Sequence, residues 1–202
     1  MDWFTSDWHL GHENTRKFSS RPYNTVEEMD KDIISQAFSK LRKGDNLYYL
    51  GDLTFSDEIA EPFLMQIKKR RINFYWILGN HDIKLKIKNL EQYCHEVTFQ
   101  KVIKRDKTKI HLSHFPQLCW DNSFRNSFHM YGHIHVSSPE YKETERRMSG
   151  KSLNVNIELN NMKMWNLHEV FDYMENRPNN WDYEIFSKAK EEKNKKIPHN
   201  KE

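Results

Sequence analysis

An α/β fold is predicted by two patterns along the 202-residue chain. In residues 1–80, short apolar runs alternate with stretches whose apolar residues recur at helical spacing, as in a sheet built with helical crossovers. Beyond residue 90, short runs follow one another with less helix between them. A third observation ties the two halves together: each of five short polar clusters begins where a predicted strand ends.

The elements follow in order. Residues 2–6 (DWFTS) read as a strand, and residues 7–24 as an irregular polar stretch punctuated by Arg21-Pro22. Thr25 and Glu28 predict a capping box, in which each side chain satisfies an orphan backbone N–H. Val26, Met29, Ile33, Ile34, Ala37, Phe38 and Leu41 then mark one face of a helix, and Gly44 ends the segment. Residues 46–50 (NLYYL) read as a buried strand running into Gly51-Asp52. Residues 57–71 read as a second helix, with Pro62 either kinking it or marking its first turn, because proline lacks a backbone N–H. Residues 73–78 (NFYWIL) read as a strand running into Gly79-Asn80-His81-Asp82. Further strands are expected at 96–103, 109–113, 128–131 and 153–159, and a helix at 167–175 capped by Asn166 with Glu169 three residues on. From Ser187 the chain holds six lysines and three glutamates with few large apolar side chains, and reads as a frayed tail. The expected organisation is one domain over 1–186 and a Lys-rich flexible tail over 187–202.

Composition excludes several classes. Aromatic residues are 13% of the chain, which argues against intrinsic disorder. No apolar run reaches the roughly 18 residues of a membrane span. The opening MDWFTSDWHL has no basic segment, and its apolar stretch is broken by Asp2 and Asp7, so it is not expected to act as a secretory signal. The 32 basic and 29 acidic residues leave a formal charge of +3, too balanced to announce a nucleic-acid binder. Cys94 and Cys119 form no framework and read as free thiols in a reducing compartment. Histidine is plentiful at eleven and glycine scarce at six, and four of the glycines (Gly11, Gly51, Gly79 and Gly132) lie beside histidine or aspartate.

The five clusters are Asp7-Trp8-His9, Gly51-Asp52, Gly79-Asn80-His81-Asp82, Ser113-His114 and Gly132-His133-Ile134-His135. Sites in open α/β sheets lie at the carboxyl ends of strands, so the clusters should converge on one rim. Carboxylates, imidazoles and one amide oxygen, without thiolates, suit Mn, Fe, Zn or similar ions. Asp-x-His and His-x-His place both side chains on one side of an extended chain. Glycine before Asp52, Asn80 and His133 lets the backbone turn sharply. Singly, each cluster has an ordinary reading as a polar loop, a turn or a structural imidazole. Together and in order they predict a two-metal site.

This motif set resembles that of the calcineurin-like metallophosphoesterases with none missing, over roughly residues 1–170. The opening FTSDWHLGHENTRKFSSRPYNTVEEMD is similar to a small bacterial and phage subgroup, with Tyr23 where that subgroup commonly has Phe. The resemblance implies a four-layer α-β-β-α sandwich of two mixed sheets. It implies Asp7, His9 and His135 as ligands of one metal, Asn80, His114 and His133 as ligands of the other, and Asp52 as the bridge. It implies His81 as a non-ligand histidine facing the leaving group and Asp82 as its orienting partner. The implied cofactors are two divalent ions, Mn²⁺ favoured, with Fe, Zn, Ni or Mg as alternatives.

The activity implied is phosphoester hydrolysis, first of all of a nucleotide-type phosphodiester. A metal-bridging hydroxide attacks phosphorus and His81 protonates the leaving group. Alternatives are a nuclease or end-processing enzyme on DNA or RNA, a phosphomonoesterase and, last, a non-catalytic scaffold for a protein partner. Little chain remains for a capping domain, so the site is expected to be open, which leans toward diesters. His12 and Arg21 are candidate substrate contacts, Arg21 through its fork of donors. Phe55 and Trp8 are candidate walls, residues 101–109 (KVIKRDKTK) a candidate nucleic-acid track, and Trp120, Phe124, Arg125, Phe128 and His129 a candidate loop over the site. For each of these a place in the core or on a solvated face is the alternative. The expected partner is a small phosphoester or nucleotide, with nucleic acid as the alternative and no membrane. The expected location is the cytoplasm, the host's if the chain is phage-encoded. The oligomeric state is open.

Overall fold

The computed structural model describes residues 1–148 and 150–179, and the expected tail over 187–202 lies outside them. Strands β1 (Asp2–Thr5), β2 (Asn46–Tyr49), β3 (Asn73–Ile77) and β4 (Glu96–Thr98) run parallel. With β9 (Trp165–Asn166), antiparallel to β1, they form a sheet ordered β4-β3-β2-β1-β9. A second sheet holds β5 (Gln100–Arg105), β6 (Thr108–Ser113), β7 (Phe128–Tyr131) and β8 (Ser152–Asn154) in chain order. In it β5 and β6 make an antiparallel hairpin, while β6, β7 and β8 are parallel.

Two crossover helices join the strands of the first sheet, α2 (Val26–Lys40) after a short α1 (Glu13–Phe18), and α3 (Asp57–Lys69). Thr25 Oγ1 accepts the Glu28 N–H at 3.1 Å, as predicted, but Glu28 returns its carboxylate to the N–H of Asn24 rather than of Thr25. α3 continues through Pro62, which lies past its first turn. The period-two pattern of the strands sorts their side chains. Leu47, Tyr49, Phe74 and Trp76 join Met29, Ile33, Phe63 and Leu64 in a core under the helices. Phe4, Tyr48, Leu50 and Ile77 join Ile110, Leu112, Met130 and Leu153 in a core between the sheets, closed by Val170 and Met174 of α5 (Leu167–Glu175). Asn166 and Glu169 form the predicted capping box on α5. The outer face of the second sheet is covered by Trp120 and Met148 around Tyr131, whose hydroxyl donates to Glu145 of α4 (Tyr141–Arg147). The fourth layer is thus one short helix and a coiled segment over 115–127.

Two predicted strands are divided. The run at 96–103 changes sheets: Thr98 pairs with Ile77 in the first sheet and Gln100 with Ser113 in the second. Phe99 is the crossing residue, and alternation of side chains reads the same on either side of it. The run at 153–159 leaves the sheet after Asn154 and closes into a single tight turn over Ile157–Asn160, because the Asn156 side chain accepts the Glu158 N–H. α1 and α4 escape prediction because their apolar residues have no helical period.

Several candidate site residues belong to the fold instead. Trp8 is fully buried, its ring 5.4 Å from Phe63, and is core. Arg105 pairs with Thr108 at the tip of the β5–β6 hairpin while Gln100 pairs with Ser113 at its other end. Most of the basic run, Lys104 to Lys109, therefore points to the end of the sheet away from His114, roughly 17 Å along the chain from Lys109 at about 3.3 Å per residue, while Lys101 pairs with Leu112. Lys101, Arg105 and Lys109 are also paired with Glu96, Asp2 and Asp121. Trp120, Phe128 and His129 are buried, and Arg125 lines a cleft with Lys107 and Lys109 at that remote end. The expected track and overhanging loop are corrected accordingly. Cys94 is buried, Cys119 is exposed and both are free. No helix among the described residues is long and apolar enough to cross a membrane.

Candidate metal centre

The carboxyl ends of β1, β2, β3, β6 and β7 deliver the five clusters to one rim, and backbone bonds knit them. The Asp7 N–H donates to Gly51 O at 2.9 Å, the His9 N–H to Asp52 O at 3.1 Å and the Gly132 N–H to His114 O at 2.9 Å. The His133 N–H reaches both oxygens of Asp7, at 3.1 and 3.0 Å.

The side chains gather in two groups that share one atom, and a third combination, His9, Asp52 and His81, overlaps both. In the first, His9 Nε2 lies 3.2 Å from His135 Nε2, and Asp7 Oδ1 lies 3.9 and 3.8 Å from these two nitrogens. In the second, His114 Nε2 lies 3.2 Å from His133 Nδ1, 3.2 Å from Asn80 Oδ1 and 3.4 Å from Asp52 Oδ2. The same Asp52 Oδ2 is 3.7 Å from His9 Nε2 in the first group. Its other oxygen accepts the His81 N–H at 3.0 Å.

These residues fit divalent cations. Two nitrogens each about 2.1 Å from one ion and roughly 100° apart are about 3.2 Å from each other, the spacing of both imidazole pairs. Tautomers agree: His114 Nδ1–H donates to Leu50 O at 2.7 Å and His135 Nδ1–H to Glu158 Oε1 at 2.8 Å, so each turns an Nε2 lone pair to the centre. Burial pushes the Asp7 carboxyl up and holds His9 down to about 2 and His133 to about 4. Burial also raises Asp52, but His114 and His9 outweigh it and bring the carboxyl to about 2. Burial lowers His114 and His135, yet Asp52 lifts the former to about 9 and Glu158 raises the latter.

Local backbone geometry aims the groups. Asp7, His9, Asp52 and His133 have φ of 58°, 50°, 61° and 69°, left-handed values that Asp and His tolerate better than most residues. The chain at Asp-x-His and His-x-His is therefore not extended, and His133 and His135 serve different groups. Gly51, at φ 92°, and Gly79 lie back to back. A Cβ on Gly51 would come within 2.6 Å of the Gly79 nitrogen, and one on Gly79 would collide with Asp52.

Two expected roles are corrected. Asp82 does not orient His81. Its buried carboxylate accepts the N–H groups of Asp52 (2.8 Å), Leu53 (2.9 Å) and Gly79 (2.8 Å) and the Trp76 indole N–H (3.2 Å), which locks two loops together. Burial pushes its pKa up to about 6. Arg21 is no substrate contact: its side chain is 0% exposed and donates to Asp7 O, Trp8 O and Glu158. It holds the β1 loop from behind and fixes Glu158 against His135. Glu158 and Asn156 were missed by sequence reasoning. Their signal was the alternation of Asn154, Asn156 and Glu158 with Leu153, Val155 and Ile157, which is a polar face leading to the rim.

His81 stands at the lip, 28% of its side chain exposed, with Nε2 3.6 Å from Asp52 Oδ2 and Nδ1 without a protein partner. Burial lowers its pKa. The Phe55 ring packs edge-on at 4.1 Å and also meets half-buried His12 at 4.5 Å, so His12 does lie beside the first group.

Comparison with known proteins agrees with this architecture. The chain is 30% identical over 171 residues to the uncharacterized protein MJ1445 of Methanocaldococcus jannaschii, covering 84% of this chain and 89% of that one. The solved structure of the protein of unknown function AQ665 from Aquifex aeolicus matches with a TM-score of 0.68 at 25% identity, over 86% of this chain and 98% of that one. The nuclease MPE of Pseudomonas putida matches at a TM-score of 0.43 and 16% identity, over 66% of this chain and 60% of that one. The family model for the calcineurin-like phosphoesterase matches residues 3–200, and the chain belongs to that family.

Proposed function

We propose that this chain is a dinuclear-metal phosphodiester hydrolase. The observation that carries the reading is the single oxygen Asp52 Oδ2, 3.7 Å from His9 Nε2 and 3.4 Å from His114 Nε2, placed to serve two ligand groups at once. Asp7, His9 and His135 would hold one ion, Asn80, His114 and His133 the other, and Asp52 both. Such a pair, Mn²⁺ by first choice, supplies Lewis-acid polarisation of the phosphoryl group and a water acidic enough to attack it.

The protein's own groups do the rest. Glu158 and Leu50 O fix the imidazole tautomers, and Asp82 fixes the loops that carry Asp52 and Asn80. His81 would protonate the departing alkoxide, help typically worth 10²–10⁴-fold. The aromatic rings at the rim, Phe55 and Phe115, are 41% and 50% exposed, so the rim is open to a phosphate carrying two substituents, which favours a diester over a monoester.

The test compares bis(4-nitrophenyl) phosphate with 4-nitrophenyl phosphate on protein titrated with Mn²⁺. Saturation at two ions per chain with faster diester turnover is expected. One ion at saturation, or monoester preference, overturns the reading. His81→Ala should keep both ions and lose at least 10²-fold on an alkyl ester while sparing a nitrophenyl leaving group. Wild-type speed on the alkyl ester would remove His81 from that role.

A further inference from the structure

Two phenylalanines flank the ligand groups, and neither belongs to a core. Phe55 is 41% exposed and rests on His81 (4.1 Å), His12 (4.5 Å) and His9 (5.9 Å), beside the first group. Phe115 is 50% exposed and rests on His133 (4.6 Å) and His114 (5.1 Å), beside the second. They share no histidine, so each ring stands beside a different ligand group.

Both rings are held from the backbone. Ser113 Oγ donates to Phe115 O at 2.7 Å. Next to Phe55, Thr54 Oγ1 donates to Leu10 O at 2.7 Å and accepts the Ser56 N–H at 3.2 Å. Half-exposed phenyl rings on a pinned backbone are suited to stacking on flat groups, whatever the sequence of a substrate.

We propose that Phe55 and Phe115 are the specificity platforms of the site, each receiving one flat aromatic group, so that the preferred substrate is a phosphodiester with an aromatic group on both ester arms. This rests on the diesterase reading and narrows it. A diester bound between the two groups has two substituents to offer two platforms, whereas a monoester leaves one platform bare. Nucleobases and aryl rings share this chemistry.

The test sets wild type, Phe55→Leu, Phe115→Ala and the double variant against four Mn²⁺-supported substrates. These are a dinucleoside phosphate, the methyl ester of a nucleoside 5′-phosphate, bis(4-nitrophenyl) phosphate and methyl 4-nitrophenyl phosphate. Leucine keeps bulk against His81 but has no flat face. Each single substitution should raise KM for the two doubly aromatic esters by about 5- to 150-fold, and the double variant by roughly the product. For the methyl esters only one of the two substitutions should matter. Equal losses on all four substrates, or none, overturn the proposal. A preference of wild type for the dinucleoside over the bis-aryl ester identifies bases as the source of the rings, and the reverse identifies aryl groups.

A second readout needs no turnover. With metal removed by chelator, base protons of the dinucleoside phosphate should move upfield in NMR on binding wild type, from the ring current of the phenyl faces, and should not move with the double variant. Wild type without that shift also overturns the proposal. If no ester is hydrolysed but the shift is present, the diesterase reading fails and the platforms stand.

Discussion

Replacing Asp82 with asparagine should destabilise the metal-free protein by about 2–6 kcal/mol and weaken the ligand group around Asp52 and Asn80. The magnitude follows from the donors. Asp82 Oδ2 accepts from Asp52 N–H, Gly79 N–H and the Trp76 indole, and Oδ1 accepts from Leu53 N–H. An asparagine carbonyl can keep the first three, but its NH₂ then faces the Leu53 N–H. The Leu53 N–H and the new NH₂ are then both stranded, at a cost of about 2–6 kcal/mol. Alanine would strand all four, about 4–12 kcal/mol, comparable to the whole stability of a domain, so it is the less informative change. Urea unfolding in chelator measures the first effect as a lower midpoint at unchanged slope. Calorimetric Mn²⁺ titration measures the second, expected as a 10- to 100-fold loss at one site, the usual consequence of losing a group that orients ligands. A variant with the wild-type midpoint and both affinities intact would refute the view that this carboxylate ties the two loops.

Glu158→Leu should remove the counter-charge of buried Arg21 and the acceptor of His135, costing about 3–5 kcal/mol in urea unfolding. It should also weaken Mn²⁺ at the Asp7, His9 and His135 group by 10- to 100-fold, and unchanged affinity would show that the pair does not orient His135. His129 is fully buried between Trp120 and Tyr131, and burial lowers its pKa to about 3. The fold therefore favours neutral His129, a contribution intact above the unfolded pKa of about 6.5 and lost as pH falls toward the folded value. Between pH 7.5 and 5 this amounts to about 2 kcal/mol, and His129→Gln should flatten the urea midpoint against pH by that much relative to wild type. Parallel profiles would count against it.

The crossovers and the five clusters were legible because both rest on local rules. Apolar period marks Val26 to Leu41 and residues 46–50, and strand ends in parallel sheets are where ligands gather. What stayed hidden depends on contacts between distant residues. Thr98 and Gln100 belong to different sheets, yet alternation cannot register that. The resemblance implies Asp82 as the partner of His81, but burial and four waiting N–H donors take its carboxylate the other way. Arg21 looked like an anion binder because nothing local shows Glu158 facing it across 137 positions of sequence. Asp-x-His was read as extended, whereas left-handed turns at Asp7 and His9 are specified by the neighbouring Gly51 and Asp52 carbonyls.

Asp7, His9, Asp52 and Asn80 come from the first sheet, and His114, His133 and His135 from the second. The seam between the sheets consequently runs through the ligand set, and no single layer owns the centre. The distance separating its halves is inherited from the thickness of the Phe4, Tyr48, Leu112 and Met130 filling underneath. Those apolar side chains act as a spacer gauge for the chemistry above them, and a change in their volume would reach the rim as altered reach between carboxylate and imidazole, well before it unfolded the chain.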